Sequence, residues 1–195
     1  MAAQTNQHRS VQALCEGAIL VALAQILGYL KLYELPQGGS ITLAMVPILF
    51  FAVRWGLKRG LGCALVFGLL QLLLDGGFAI GWQSMLGDYL IAYGVLGLAG
   101  LFTGKAYSVF VGTVVGSVAR FAVHWVVGAT IWAEYMPDEF FGMTMTSPWF
   151  YSALYNGSYM LPDMIVCLVV FGVLYVPLKN YILGQDLKPV EPKFR

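Results

Sequence analysis

One stretch of the sequence, residues 117–141, combines ionisable, small and aromatic side chains at helical spacing. Its members recur at intervals of four, four, four and three residues: Arg120, His124, Gly128, Trp132 and Tyr135. This spacing predicts that they share one face of a helix. Aromatic faces hold cations, and a glycine leaves a gap in which a flat ring can lie against the helix. The stripe therefore indicates a binding site for a flat ligand.

A packing stripe is the alternative interpretation, with Trp132 and Tyr135 in the aromatic belt of a membrane interface. Arg120 argues against it. A cation about halfway along a membrane helix is costly unless it faces the bundle interior and finds a partner there.

A second candidate group, Asp88 and Tyr89, stands at the predicted outer end of an apolar segment within the stretch GDYLIAY. Aspartate is a favoured N-cap residue, so capping and ligand binding are both open for Asp88, and the two roles can coexist.

The last apolar segment opens with three tyrosines on one helix face and an asparagine on a neighbouring face: Tyr151, Tyr155, Tyr159 and Asn156. Interfacial tyrosines are common in membrane proteins. The amide is more informative, because it can both donate to and accept from a heterocycle.

Motifs of catalysis and metal binding are absent from the sequence. Gly104-Lys105 lacks the remaining residues of a Walker A loop, so this chain is not expected to hydrolyse ATP. Two histidines without an HExxH motif, and three cysteines in separate apolar runs, supply no metal ligand set. We expect a non-enzymatic chain without a metal or a cofactor.

The composition requires a membrane. Hydrophobic residues make up 59% of the chain and charged residues 11%, far from the balance of a soluble domain. A net charge of +1, spread thinly, argues against a nucleic-acid partner and leaves membrane lipid as the surroundings. We predict an all-α integral membrane protein, a single domain over 1–195 with six transmembrane helices at about 11–32, 40–54, 60–75, 86–103, 107–132 and 149–183.

Basic residues orient this bundle. They fall at the termini and in alternate loops, at Arg9, Arg54, Lys58, Arg59, Lys105, Lys179, Lys188, Lys193 and Arg195. The positive-inside rule then predicts that both termini are cytoplasmic.

Together these residues resemble the thiamine-specific substrate-binding subunits (S components) of energy-coupling factor (ECF) transporters. The resemblance covers nearly the whole chain and is carried by Asp88-Tyr89, then His124-xxx-Gly128-xxx-Trp132-xx-Tyr135, then Tyr151-Ser152-xxx-Asn156. It implies a bacterial plasma-membrane subunit that captures thiamine outside and works with a transmembrane coupling protein and two ATP-binding subunits. Asp88, His124, Trp132, Tyr151 and Asn156 should then line the site, with Tyr89 and Gly128 supporting it.

The resemblance also assigns roles beyond the pocket. Ala18 and Ala22 match the AxxxA motif through which such subunits dock on the coupling protein, although the residues alone equally suit internal packing. The loop at about 33–40 should cover the pocket. Two departures stand out: Asp88 replaces the usual glutamate, and Phe78 replaces an expected pocket tyrosine.

Three other functions are compatible with parts of the pattern. An S component for riboflavin or biotin would share the bundle but have less use for the carboxylate and aromatic set. An intramembrane enzyme using Asp88 or His124 lacks a second catalytic partner. A purely structural scaffold would leave Arg120 unexplained.

Overall fold

The computed structural model describes residues 2–35, 38–74 and 79–187, with side chains from residue 7 onward. Within these ranges the chain forms six helices: α1 (Ala2–Tyr29), α2 (Met45–Trp55), α3 (Leu57–Leu74), α4 (Trp82–Leu101), α5 (Ser108–Thr130) and α6 (Pro148–Ile182). Two short antiparallel hairpins pair β1 (Tyr33–Glu34) with β2 (Ser40–Ile41) and β3 (Glu139–Phe140) with β4 (Met143–Thr144). The predicted six-helix, all-α membrane fold is confirmed.

Five of the helices contain an apolar stretch long enough to cross a membrane, and α2 does not. With 11 residues, α2 is about 16 Å long, roughly half the hydrocarbon thickness. The predicted segment 40–54 was wrong at its start, because Ser40–Ile41 pairs with β1 and the helix begins only at Met45. Most of α2 is buried between the other helices, which explains why a short helix is apolar on every side.

Helix α4 changes its hydrogen-bonding pattern along its length. A π-helical turn spans Met85–Ile91, and a 3-10 segment spans Val95–Leu101. In the 3-10 segment a Cβ on Gly97 would lie 2.4 Å from the backbone nitrogen of Leu61. Glycine is required there because the backbones of α3 and α4 touch.

One end of the bundle is closed by Arg54 at the end of α2. Its guanidinium makes two hydrogen bonds to Glu16 of α1, at 2.7 and 3.0 Å, and two to Asp186, at 2.7 and 2.6 Å. The fifth donor bonds the carbonyl of Tyr181 at 2.8 Å. Arg9 donates to the carbonyl of Leu187 at the same end. These bonds bring α1, the end of α2 and the end of α6 together.

Candidate functional site

At the opposite end from Arg54, the helices enclose a cavity of about 220 Å³. Nine of the sequence-predicted residues line it: Asp88, Tyr89, Arg120, His124, Gly128, Trp132, Tyr135, Tyr151 and Asn156. Phe78 lies outside the described residues. The stripe on α5, the pair on α4 and the polar face of α6 therefore meet in one place.

Asp88 lies inside α4, in the π-helical turn. The capping interpretation is wrong, because the helix begins at Trp82 and Asp88 is well beyond its first turn. The carboxylate accepts a hydrogen bond from the Trp132 indole N–H at 2.8 Å, and its other oxygen lies 2.9 Å from His124 Nδ1. π-Helical turns are frequent at functional sites, and here the turn presents a carboxylate to α5.

The second ring nitrogen of His124, Nε2, is buried and has no hydrogen-bond partner among the described residues. Since Nδ1 is held by Asp88, the ring is fixed in orientation while one nitrogen is available for a further partner.

Trp132 and Tyr135 reach the cavity from beyond the end of α5. The predicted helix to residue 132 was too long, because α5 ends at Thr130 and the chain tightens into a 3-10 turn over Ala133–Tyr135. The amide of Trp132 bonds the carbonyl of Val127 at 3.3 Å, and the amide of Tyr135 bonds that of Trp132 at 3.0 Å. The two rings meet edge to face with their centres 5.6 Å apart, and both residues line the cavity.

At Gly128, α6 side chains pack directly against α5. A Cβ there would lie 2.3 Å from Ser152 Oγ and 3.3 Å from Asn156 Nδ2. The gap at Gly128 is therefore filled by α6 side chains, although the residue also lines the cavity. A flat ligand ring therefore does not fit directly in this gap, contrary to the expectation from the sequence.

Asn156 is held by protein partners. Its Nδ2 donates to the Ser152 carbonyl at 2.9 Å and to the His124 carbonyl at 3.3 Å, while Oδ1 accepts from the Tyr159 hydroxyl at 2.9 Å. One acceptor position of the amide oxygen is left for a ligand. Asn156 therefore joins α5 to α6 at the level of His124. From the sequence we expected its amide both to donate to and to accept from a ligand ring, but here the N–H groups that donate are bonded to protein carbonyls.

The three tyrosines predicted on one face of α6 form a buried aromatic wall. Tyr151 and Tyr155, and Tyr155 and Tyr159, are each 5.8 Å apart between ring centres. Phe140, from the second hairpin, packs edge-on against Tyr151 at 5.5 Å.

The β1–β2 hairpin covers this wall. The backbone N–H of Gly39 donates to the Tyr155 hydroxyl at 3.0 Å, and a Cβ on Gly39 would lie 2.6 Å from the Tyr159 ring. The described part of the predicted covering loop thus packs directly over the cavity, with Gly38, Gly39 and Ser40 in its lining.

Arg120 lines the inner end of the cavity and has a buried neighbour, Asp163, that was not predicted from the sequence. Arg120 Nη1 lies 3.6 Å from Asp163 Oδ2 and 3.2 Å from Met45 Sδ, and its guanidinium lies over the Tyr93 ring at 4.4 Å. Asp163 is 1% exposed. A carboxylate in the middle of an apolar helix was the available signal, since such a group needs a buried partner. Gln71, which lines the cavity and bonds Gln25 of α1 at 2.9 Å, was also missed.

Ala18 and Ala22 lie away from the cavity. Both are exposed on the outer surface of α1, so neither packs inside the bundle.

The arrangement suits binding better than catalysis. A carboxylate among aromatic rings can hold a cationic ring, and the wall offers wide flat faces. Across the described residues, no three His, Cys, Asp or Glu side chains are grouped so as to hold a metal ion.

Comparison with known proteins identifies the family. Residues 14–183 match the family described as Thiamine transporter protein (Thia_YuaJ). The Thiamine transporter ThiT of Bacillus subtilis (strain 168) is 32% identical over 186 residues, covering 88% of this chain and 94% of the relative. The Thiamine transporter ThiT of Lacticaseibacillus paracasei is 28% identical over 208 residues, covering 96% and 98%.

A solved structure of ThiT from Listeria monocytogenes has the same fold, with a TM-score of 0.79 at 21% identity, and the match covers 89% of this chain and 98% of that one. The family match runs from α1 to the end of α6 and so includes every helix that lines the cavity. The chain belongs to the thiamine transporter family and is a transport protein rather than an enzyme.

Proposed function

We propose that this chain binds thiamine in the cavity between α4, α5 and α6, as the substrate-binding subunit of a vitamin importer. The observation that carries the proposal is Asp88, whose carboxylate is held by Trp132 and His124 inside an aromatic cavity. Thiamine joins a permanently cationic thiazolium to an aminopyrimidine. A carboxylate in a partly dry site attracts such a cation more strongly than it would in water.

The ligand can be tested by competition. Labelled thiamine should bind the purified chain and be displaced by unlabelled thiamine, but not by riboflavin or biotin at the same concentration. Those vitamins lack a fixed cation to match Asp88. Displacement by riboflavin or biotin as readily as by thiamine would refute the assignment.

Delivery into the cell is proposed to need an ECF coupling protein and two ATP-binding subunits. The exposure of Ala18 and Ala22 supports this role, because small residues on a lipid-facing surface allow another helix to approach closely. The test uses proteoliposomes that contain this chain together with the coupling protein and the two ATP-binding subunits. In them, Ala18→Trp and Ala22→Trp should abolish ATP-dependent thiamine uptake and retain thiamine binding.

Leu23→Trp is a matched control for this experiment. Leu23 is also exposed but lies about 140° around the helix from Ala18 and about 100° from Ala22. Equal loss of uptake in all three variants would show that added bulk, and not the alanine face, causes the defect.

We propose that both termini lie in the cytoplasm. The Arg54 cluster supports this topology, since it joins the first helix and the end of the last helix at one end of the bundle. That end also carries exposed Lys58 and Lys179.

A further inference from the structure

The cavity has a positive pole as well as a negative one. Arg120 lines it and is 7% exposed, one helical turn (about 6 Å) from His124 along α5. Asp88 lies on the His124 side of the cavity. A cationic ring is therefore favoured beside Asp88 and disfavoured beside Arg120.

The guanidinium of Arg120 is oriented but poorly hydrogen-bonded. Its nearest acceptor is the thioether of Met45 at 3.2 Å, which is a weak one. Asp163 Oδ2 at 3.6 Å is too distant for a hydrogen bond, and Nε is buried without an acceptor among the described residues. A buried polar group in this condition is costly, so a better acceptor is expected to be supplied from the cavity.

Arg54, at the other end of the bundle, is an arginine whose N–H donors are all hydrogen-bonded. All of its donors meet carboxylate or carbonyl oxygens at 2.6–3.0 Å. Of these two arginines, the one that lines the cavity is the one that lacks strong acceptors.

Asp163 compensates the charge of Arg120 from outside the cavity lining. It does not line the cavity, and its Oδ1 accepts the backbone N–H of Thr42 at 3.1 Å. The Tyr93 ring lies against the guanidinium at 4.4 Å. These contacts hold Arg120 in place and leave its remaining hydrogen-bonding capacity for a ligand.

We propose that Arg120 is a specificity-determining residue that donates to the side-chain oxygen of a thiazolium ligand and so fixes which way the ligand lies. The inference rests on the proposed function. In free thiamine the acceptor is the hydroxyl oxygen of the hydroxyethyl group, and in a phosphate ester it is a phosphate oxygen. The thiazolium ring then lies toward Asp88 and Trp132.

The test compares three ligands: thiamine, thiamine monophosphate, and an analogue in which ethyl replaces the hydroxyethyl group. The wild-type chain should bind thiamine about ten- to a hundredfold more tightly than the ethyl analogue, as expected for a hydrogen bond to a charged donor. In Arg120→Met this preference should disappear. Binding of both oxygen-bearing ligands should weaken, while binding of the ethyl analogue should be spared.

Removing Arg120 alone leaves Asp163 buried without a counter-charge, which can unfold the chain. The double variant Arg120→Met with Asp163→Asn removes both charges, and the same loss of preference is expected from it. Thermal unfolding of each variant identifies the folded samples.

Three results of these titrations would contradict the proposals. Equal weakening for all three ligands in folded variants would show that Arg120 acts only through structure, and would overturn the inference. Equal binding of thiamine and the ethyl analogue by the wild type would overturn it while leaving thiamine binding intact. No binding of thiamine by the wild type would overturn the proposed function as well.

Discussion

At the scale of single residues, the cavity depends on how neighbouring side chains hold Asp88. Trp132 and His124 bond one carboxylate oxygen each, so the carboxylate cannot turn away from the cavity. The sequence was sufficient to single out these three residues, which line one cavity, because each is a polar or aromatic group in or beside an apolar helix. A carboxylate within an apolar helix also indicated a buried partner for Asp163, but the sequence could not show that this partner is Arg120, which lies on another helix and is met only in the folded bundle.

The charge of Asp88 should matter more than its size. Asp88→Asn keeps the shape but loses the charge-assisted interaction, which should weaken thiamine binding by about 1.5–3 kcal/mol, or about ten- to a hundredfold. Asp88→Glu keeps the charge and should be milder. Calorimetric titration of both variants measures this, and an unchanged affinity in Asp88→Asn would exclude a direct role for the charge.

Trp132 should report on ligand binding. Thiamine should change tryptophan emission in the wild type, because the indole borders the cavity. Trp132→Phe keeps an aromatic face but loses the N–H bond to Asp88, so its emission change should vanish and its affinity should fall. Trp149→Phe is the matched control, since Trp149 is 46% exposed and does not line the cavity. An emission change that survives in Trp132→Phe and is lost in Trp149→Phe would place the ligand elsewhere.

At the scale of elements, the site is built where side chains of one helix pack directly against the backbone of the next. Gly128 allows Ser152 and Asn156 of α6 to reach α5, and the π turn in α4 brings Asp88 to the same level. Helical periodicity predicted which residues share a face. It could not predict the end of α5 before Trp132 or the π turn, because both depend on local hydrogen bonds that the pattern of apolar residues does not encode.

Adding one methyl group at this contact should impair binding. Gly128→Ala places a Cβ 2.3 Å from Ser152 Oγ, which forces α6 side chains to shift at a cost of about 1–3 kcal/mol. Gly172→Ala on α6 is the control, because no heavy atom lies within 4 Å of its added Cβ. Thermal unfolding and thiamine titration of both should show a loss only in Gly128→Ala, and equal behaviour of the two would refute the tight contact.

The Arg54 cluster should stabilise the bundle without touching the ligand. Arg54→Met leaves Glu16 and Asp186 without their partner, and should lower the unfolding temperature. The loss should stay below the roughly 3–5 kcal/mol typical of a broken buried pair, because the carboxylate side chains remain 27% and 32% exposed. Lys58→Met, at an exposed neighbouring position, should leave the unfolding temperature unchanged. Circular dichroism during heating in detergent checks both, and equal unfolding temperatures of the two variants would show that the Arg54 cluster does not stabilise the bundle.

At the scale of the whole molecule, the two ends of the bundle have different roles. One end is closed by ion pairs around Arg54, and the other carries the cavity and its covering hairpin. Composition predicted the membrane, and the apolar segments along the chain predicted the six helices. The apolar run at 40–54 concealed a strand and a short buried helix, because a residue buried inside protein and one exposed to lipid are equally apolar.

If the cavity holds one thiamine, a calorimetric titration of the purified wild-type chain with thiamine will show it. We expect saturable binding with one thiamine per chain. Absence of saturable heat from a folded sample, or a stoichiometry well above one, would contradict it.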